Sequence, residues 1–229
     1  NVGAYINDIN LKSLDQDQAT EIKKILNKYG VIFIKEQNLD PETYQNFAKN
    51  IGQPVVYPRL KGLDEKFPFI NVIERKPDDK NLSFGSSWLH QDTSYLANDR
   101  PRYTMLMGIE IPVGQGNTIF SSGFNAYDKL PDDIKVKIKD ATGVFSSAGP
   151  IAITRLEREK EMGIKSSESM EAEHPIVITV DGKKTLYVSP GHLMKIKNVK
   201  EDEAEYLKNY LVNHVNKEDF IFSSEWTKG

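Results

Sequence analysis

His90 and Asp92 are the two side chains best suited to chemistry, standing two residues apart in Ser87-Trp88-Leu89-His90-Gln91-Asp92-Thr93-Ser94-Tyr95. On an extended strand, residues two apart project from one face, so an imidazole and a carboxylate there can converge on one metal ion. With a second histidine from elsewhere they would fill one face of an octahedron and leave three open positions. That arrangement suits non-haem iron(II), a bidentate keto acid and oxygen. Alone, His-x-Asp carries little information, since it also arises at exposed polar strand ends.

The composition narrows the chemistry. None of the 229 residues is cysteine, so disulfides, thiolate zinc sites, iron-sulfur clusters and a cysteine nucleophile are excluded. Any metal must bind through histidine, carboxylate, carbonyl or water. The formal net charge is -3, with 30 basic and 33 acidic residues mixed along the chain, which gives no reason to expect nucleic acid as a partner. A small molecule is the expected partner. No apolar run approaches the roughly 18 residues of a membrane span, and the polar start lacks the regions of a signal peptide, so a cytoplasmic protein is expected. A zinc hydrolase built on the same pair is disfavoured by the lack of an H-E-x-x-H motif.

The elements that must position the pair follow from periodicity and punctuation. Asp15 to Tyr29 places Ala19, Ile22, Ile25, Leu26 and Tyr29 at helical spacing, closed by Gly30 and followed by the apolar run Val31 to Ile34. Asp40-Pro41-Glu42 reads as a cap, first turn and acidic start of a second helix ending at Gly52. From Phe69 to Phe120 short β-prone runs predict a sheet region. Tyr127 to Asp140 and Glu201 to Val215 predict helices, His174 to Ser189 two strands joined at Asp181-Gly182, and Phe220 to Phe222 a strand.

The charged, aperiodic stretch 149–173 is expected to be a mobile lid. With no repeat and no composition break, the expectation is one domain, 1–229, mainly β with peripheral helices (α+β), as a barrel or jelly roll. Both ends are expected to be incomplete. Aromatic residues of the helix Tyr206 to Tyr210 would permit a homo-oligomeric interface.

Around His90 the order of motifs is informative. Pro101-Arg102-Tyr103-Thr104 follows, then Gly114-Gln115-Gly116-Asn117-Thr118-Ile119-Phe120, then Ala126-Tyr127-Asp128-Lys129-Leu130-Pro131. In this order, and over nearly the whole chain, the sequence resembles the taurine dioxygenase and 2,4-dichlorophenoxyacetate dioxygenase family. The resemblance implies a double-stranded β-helix and oxidative decarboxylation of 2-oxoglutarate coupled to hydroxylation of a small substrate by molecular oxygen. It implies that His90 and Asp92 bind Fe(II), that Thr118 contacts the co-substrate carboxylate, and that Tyr57 and His192 lie near the substrate. Without it Thr118 reads as an ordinary strand residue, Tyr57 as a packed aromatic and His192 as a loop histidine.

The family's third metal ligand, a histidine, its 2-oxoglutarate-binding arginine and its C-terminal strands are expected beyond Gly229. His214 reads as a helix-face residue and His174 as a structural one. One departure from the family pattern is Leu89 directly before the motif histidine, with Trp88 shifted one place back. The substrate class implied is a small anion of the sulfonate, sulfate or aryloxy acid type. The other reading is a small-acid-binding protein on the same scaffold without catalysis.

Overall fold

The computed structural model describes residues 2–57, 60–80, 86, 88–153, 156 and 168–229, which group into two compact units. The first unit comprises residues 1–72, 101–120 and 221–229. Its helix α1, Gln16–Tyr29, starts in a capping box: Asp15 accepts from the Gln18 N–H at 2.7 Å, and the Gln18 side chain accepts from the Asp15 N–H at 3.0 Å. These bonds satisfy donors that a helix start otherwise leaves orphaned. Gly30 ends it with φ of 79°, a left-handed conformation open to glycine without steric cost. Helix α2, Pro41–Ile51, is capped by Asp40, which accepts from the Thr43 N–H at 2.8 Å.

Both helices bury one stripe. Ala19 and Ile22 of α1 and Phe47 and Ile51 of α2 form a core with Leu11 and Leu39. Strand β1 (Ala4–Tyr5) runs parallel to β2 (Ile32–Phe33). Strand β3 (Thr118–Ser121) pairs with a C-terminal strand, Ile221–Ser224, and Phe33 packs on Phe120 and Phe222 at ring distances of 5.7 and 5.6 Å.

The second unit comprises residues 73–100 and 121–220. Its elements are α3 (Gly123–Asp128), α4 (Asp132–Ile138), β4 (Thr142–Ser146), β5 (Glu171–Pro175), β6 (Val177–Val180), β7 (Lys183–Leu186), β8 (Leu193–Lys197) and α5 (Ala204–Val215). Strand β4 is central in the antiparallel order β5-β4-β8 and is almost wholly buried. A Cβ on Gly143 would stand 2.8 Å from the Phe145 ring and 2.9 Å from Ile176 and Leu193, so the sheet packs against a backbone without a side chain. Phe145, Ile176, Leu207 and Leu211 are at the centre of this core, and fully burying each such side chain contributes roughly 1.5–3 kcal/mol.

The hairpin β6-β7 turns at Asp181 and Gly182, with φ of 48° and 79°, the double left-handed turn that matches the twist of the flanking strands. The predicted helix over 127–140 is two helices, because Pro131 interrupts it and stands as the cap of α4. The larger difference concerns the sheet expected from Phe69 to Phe120, where β3 is the only strand among the described residues. Tyr103, Met105 and Met107 alternate inward onto the first unit's core while Arg102, Thr104 and Leu106 face out. The side chains thus have strand periodicity, but the backbone forms no ladder, and pairing rather than alternation makes a sheet. Helix consequently covers more of the described residues than strand does, a mixed α/β composition instead of the mainly β one expected.

At the ends of 149–173, Ile151 and Ala152 are buried in a turn and 171–173 begin β5. Residues 154, 155 and 157–167 of that stretch lie outside the described residues.

Candidate metal centre

In the second unit, the segment from Trp88 to Asp92 bends at Trp88, belongs to no strand and runs into a turn at Asp92, so the pair does not sit on a laddered strand. Other groups hold the backbone. The Gln91 N–H, lying between the two candidate ligands, donates to Ser189 Oγ at 2.9 Å, and the Gly191 N–H donates to the Leu89 carbonyl at 2.9 Å. Close packing reinforces this: a Cβ on Gly191 would stand 3.3 Å from His90 Cβ and 3.0 Å from Ile151 Cβ. The Ser189-Pro190-Gly191-His192 loop therefore buttresses the segment.

The side chains of His90 and Asp92 converge, with Nε2 3.2 Å from Oδ1 and 26% and 43% of the two side chains exposed. His90 Nδ1 lies 2.9 Å from the Trp88 carbonyl, which can only accept, so Nδ1 carries a proton. In the neutral ring the Nε2 lone pair then faces a carboxylate oxygen, and only a proton or a cation between them relieves the repulsion. Burial disfavours the charged ring, yet the Asp92 hydrogen bond, the Trp88 carbonyl and the Asp92 charge together hold the His90 pKa above its ordinary value.

The same gap suits a metal. Two ligand atoms each about 2.1 Å from an ion and at right angles stand about 3.0 Å apart. The fixed Nδ1–H also orients the ring with Nε2 as the ligand atom, as metal-binding histidines require. Among the described residues no third His, Asp or Glu completes a cluster with them.

His192 is buried, its ring 5.8 Å from that of His90 and 5.2 Å from that of Tyr95, with Nδ1 3.2 Å from Ser189 Oγ. Burial, and then the neighbouring His90, push its pKa down to about 4, so the ring is neutral at physiological pH. His174 lies in β5 with Nε2 2.9 Å from the Ser94 carbonyl and 3.0 Å from that of Leu96, and burial followed by Arg100 lowers its pKa. His214, also buried, bonds the Ala126 carbonyl at 2.8 Å.

Thr118 and Tyr57 belong to the first unit. Thr118 opens β3, and its Oγ1 accepts from the Trp226 indole N–H at 2.8 Å, which leaves the hydroxyl hydrogen free to donate. Tyr57 is half-buried. Reading the sequence missed Ser189 and Trp226. Neither carries a local signal, since their partners lie 98 and 108 residues away along the chain.

Comparison with known proteins adds to this geometry. Residues 1–229 match the model of the taurine catabolism dioxygenase TauD, TfdA family. The chain belongs to this family. It is 26% identical over 237 residues to the α-ketoglutarate-dependent sulfonate dioxygenase of Saccharomyces cerevisiae, covering 98% of this chain and 56% of that protein. It is also 26% identical to the α-ketoglutarate-dependent sulfate ester dioxygenase of Pseudomonas putida, covering 100% of this chain and 76% of the relative. Among solved structures, a taurine dioxygenase from Burkholderia xenovorans superposes with a TM-score of 0.78 at 25% identity, covering 100% of this chain and 74% of that one.

Membership implies Fe(II) and 2-oxoglutarate (α-ketoglutarate) as metal and co-substrate. The nitrogen and carboxylate donors of His90 and Asp92 suit that ion. Among the described residues, no helix is long and apolar enough to cross a membrane.

Proposed function

We propose that the protein is an Fe(II)- and 2-oxoglutarate-dependent dioxygenase. It hydroxylates a small organic anion of the sulfonate, sulfate ester or aryloxy acid type, consumes molecular oxygen and releases succinate and CO2. The observation that carries the reading is the 3.2 Å approach of His90 Nε2 to Asp92 Oδ1, with the far ring nitrogen already committed to the Trp88 carbonyl. The family match over residues 1–229 supports reading the chain as one oxygenase-like domain on a double-stranded β-helix scaffold.

In this reading His90 Nε2 and the Asp92 carboxylate hold the metal. Iron with 2-oxoglutarate and oxygen supplies, when bound, the oxidising power for hydroxylation. Thr118 donates its remaining hydroxyl hydrogen to a co-substrate carboxylate oxygen. The neutral ring of His192, 5.8 Å from that of His90, contacts the substrate, and for Tyr57 a substrate contact rests on the family resemblance alone. A neutral imidazole can donate to an anionic oxygen while placing no second cation beside the metal, so binding the substrate does not compete with binding the ion. The noncatalytic binding reading has no comparable support, because the relatives compared are named for oxygenase activity.

The test is anaerobic titration of the full-length protein with iron(II) and 2-oxoglutarate, followed by the weak visible charge-transfer band of a chelated keto acid. The band is expected in the wild type and absent in His90→Ala. A folded wild type without the band, indistinguishable from His90→Ala, sinks the oxygenase reading.

A further inference from the structure

Directly after Asp92 the chain takes an uncommon path. Thr93, only 4% exposed, has φ of 49°, a left-handed conformation sparsely populated by β-branched residues. Such a backbone persists only when its surroundings over-determine it. The turn's own side chains do not, since Thr93 Oγ1 and Ser94 Oγ are buried with no hydrogen-bond partner among the described residues. Within the turn, the Leu96 N–H donates to the Thr93 carbonyl at 2.9 Å.

From outside, one group grips the turn twice. His174 Nε2 lies 2.9 Å from the Ser94 carbonyl and 3.0 Å from the Leu96 carbonyl. Both partners are acceptors, so Nε2 carries a proton whatever the charge of the ring. The ring has little freedom: it packs on Phe145 at 5.6 Å and on Tyr187 at 5.5 Å, and its backbone is in register with Gly143 of β4. A rigid sheet thus holds, through one N–H, the turn from which the Asp92 carboxylate departs.

We infer that His174 is a positioning residue for the metal pair: by bridging the Ser94 and Leu96 carbonyls it fixes the left-handed turn at Thr93 and so sets where the Asp92 carboxylate stands relative to His90. The inference rests on the metal reading above. It gives His174 a role beyond packing, because the ring bonds the backbone carbonyls of Ser94 and Leu96 and acts through that backbone.

The experiment measures Mn(II) affinity of the full chain without oxygen or keto acid, by the electron paramagnetic resonance of unbound Mn(II), alongside thermal melting. His174→Phe keeps the ring packing and removes the donor. It is expected to weaken Mn(II) binding roughly 10-fold or more, the usual cost of losing an outer support of a ligand. His174→Gln, whose amide carries two N–H donors, is expected to recover most of the loss. Thr93→Gly in the His174→Phe background is expected to recover part, since glycine adopts the left-handed path without a clamp. His174→Asn, too short for both carbonyls, replaces the phenyl variant if that one does not fold.

Affinity of folded His174→Phe within about twofold of the wild type, or no recovery with Gln and with Thr93→Gly, overturns the positioning role. A wild type that binds no Mn(II) overturns the metal reading itself, and the two failures are told apart by the wild-type titration.

Discussion

Replacing Ser189 with alanine removes a single oxygen that serves two partners. Ser189 is fully buried, and its Oγ accepts from the Gln91 N–H at 2.9 Å and meets His192 Nδ1 at 3.2 Å. The substitution leaves almost no cavity, so the cost is that of polar groups deprived of partners, roughly 1–3 kcal/mol for each buried one. The Gln91 amide is partly buried and is assigned the low end, and the buried His192 the middle, which gives about 2–4 kcal/mol together. For a chain of this size each kcal/mol lowers Tm by about 2–4 °C, so a fall of roughly 4–16 °C is expected. Circular dichroism melts and urea titrations of wild type, Ser189→Ala, His192→Phe and the double variant supply the assay. Because the two residues share one bond, the cycle should show a coupling of at least about 0.5 kcal/mol. A Tm within about 2 °C of wild type refutes the argument that this hydroxyl ties the ligand segment to the loop, and strict additivity in the cycle refutes its bond to His192.

Thr118→Val should weaken 2-oxoglutarate binding by roughly 10–100-fold in an anaerobic titration, the value of a hydrogen bond to a charged group. Trp226→Phe, which removes the indole donor to Thr118 together with part of a half-buried ring, should cost at least about 1 kcal/mol of stability and leave that affinity largely intact. Phe145→Ala, in the fully buried centre of the second unit, should cost about 3–5 kcal/mol by denaturant unfolding. Burial, and then Lys217, lower the His214 pKa, so the unfolded chain binds the extra proton. Its contribution is therefore complete above about pH 6.5 and is lost on acidification, at up to about 1.4 kcal/mol per pH unit. Urea midpoints at pH 7.5 and 5.0 should diverge less in His214→Gln than in wild type.

What was legible in the sequence is what short-range contacts dictate. Asp15 and Gln18 cap α1 across three residues, Gly30 closes it, and Asp40 with Pro41 opens α2, so the limits of both helices could be written down in advance. Asp181-Gly182 fixed the hairpin for the same reason, two left-handed residues in series leaving few alternatives. The motif order likewise named the family before any coordinate. By contrast, Thr142 to Ser146 did not announce itself as a central strand. It is short and buried on both sides, so it lacks the alternation that marks a half-exposed strand.

The sequence by itself determined the residue types at the candidate centre, an imidazole and a carboxylate two positions apart with no cysteine to compete for a metal. Only the tertiary structure decided that the pair stands outside any strand, on a segment entering a left-handed turn at Thr93. It alone brought Ser189 and His174 to that segment from 98 and 80 residues away, and Trp226 to Thr118 from 108. Hydrogen bonds across such separations depend on how the whole core packs, and they leave no periodicity, spacing or composition from which they could have been read. The same physics explains Tyr103 to Met107, where alternation is a property of the sequence but a ladder requires a second backbone alongside.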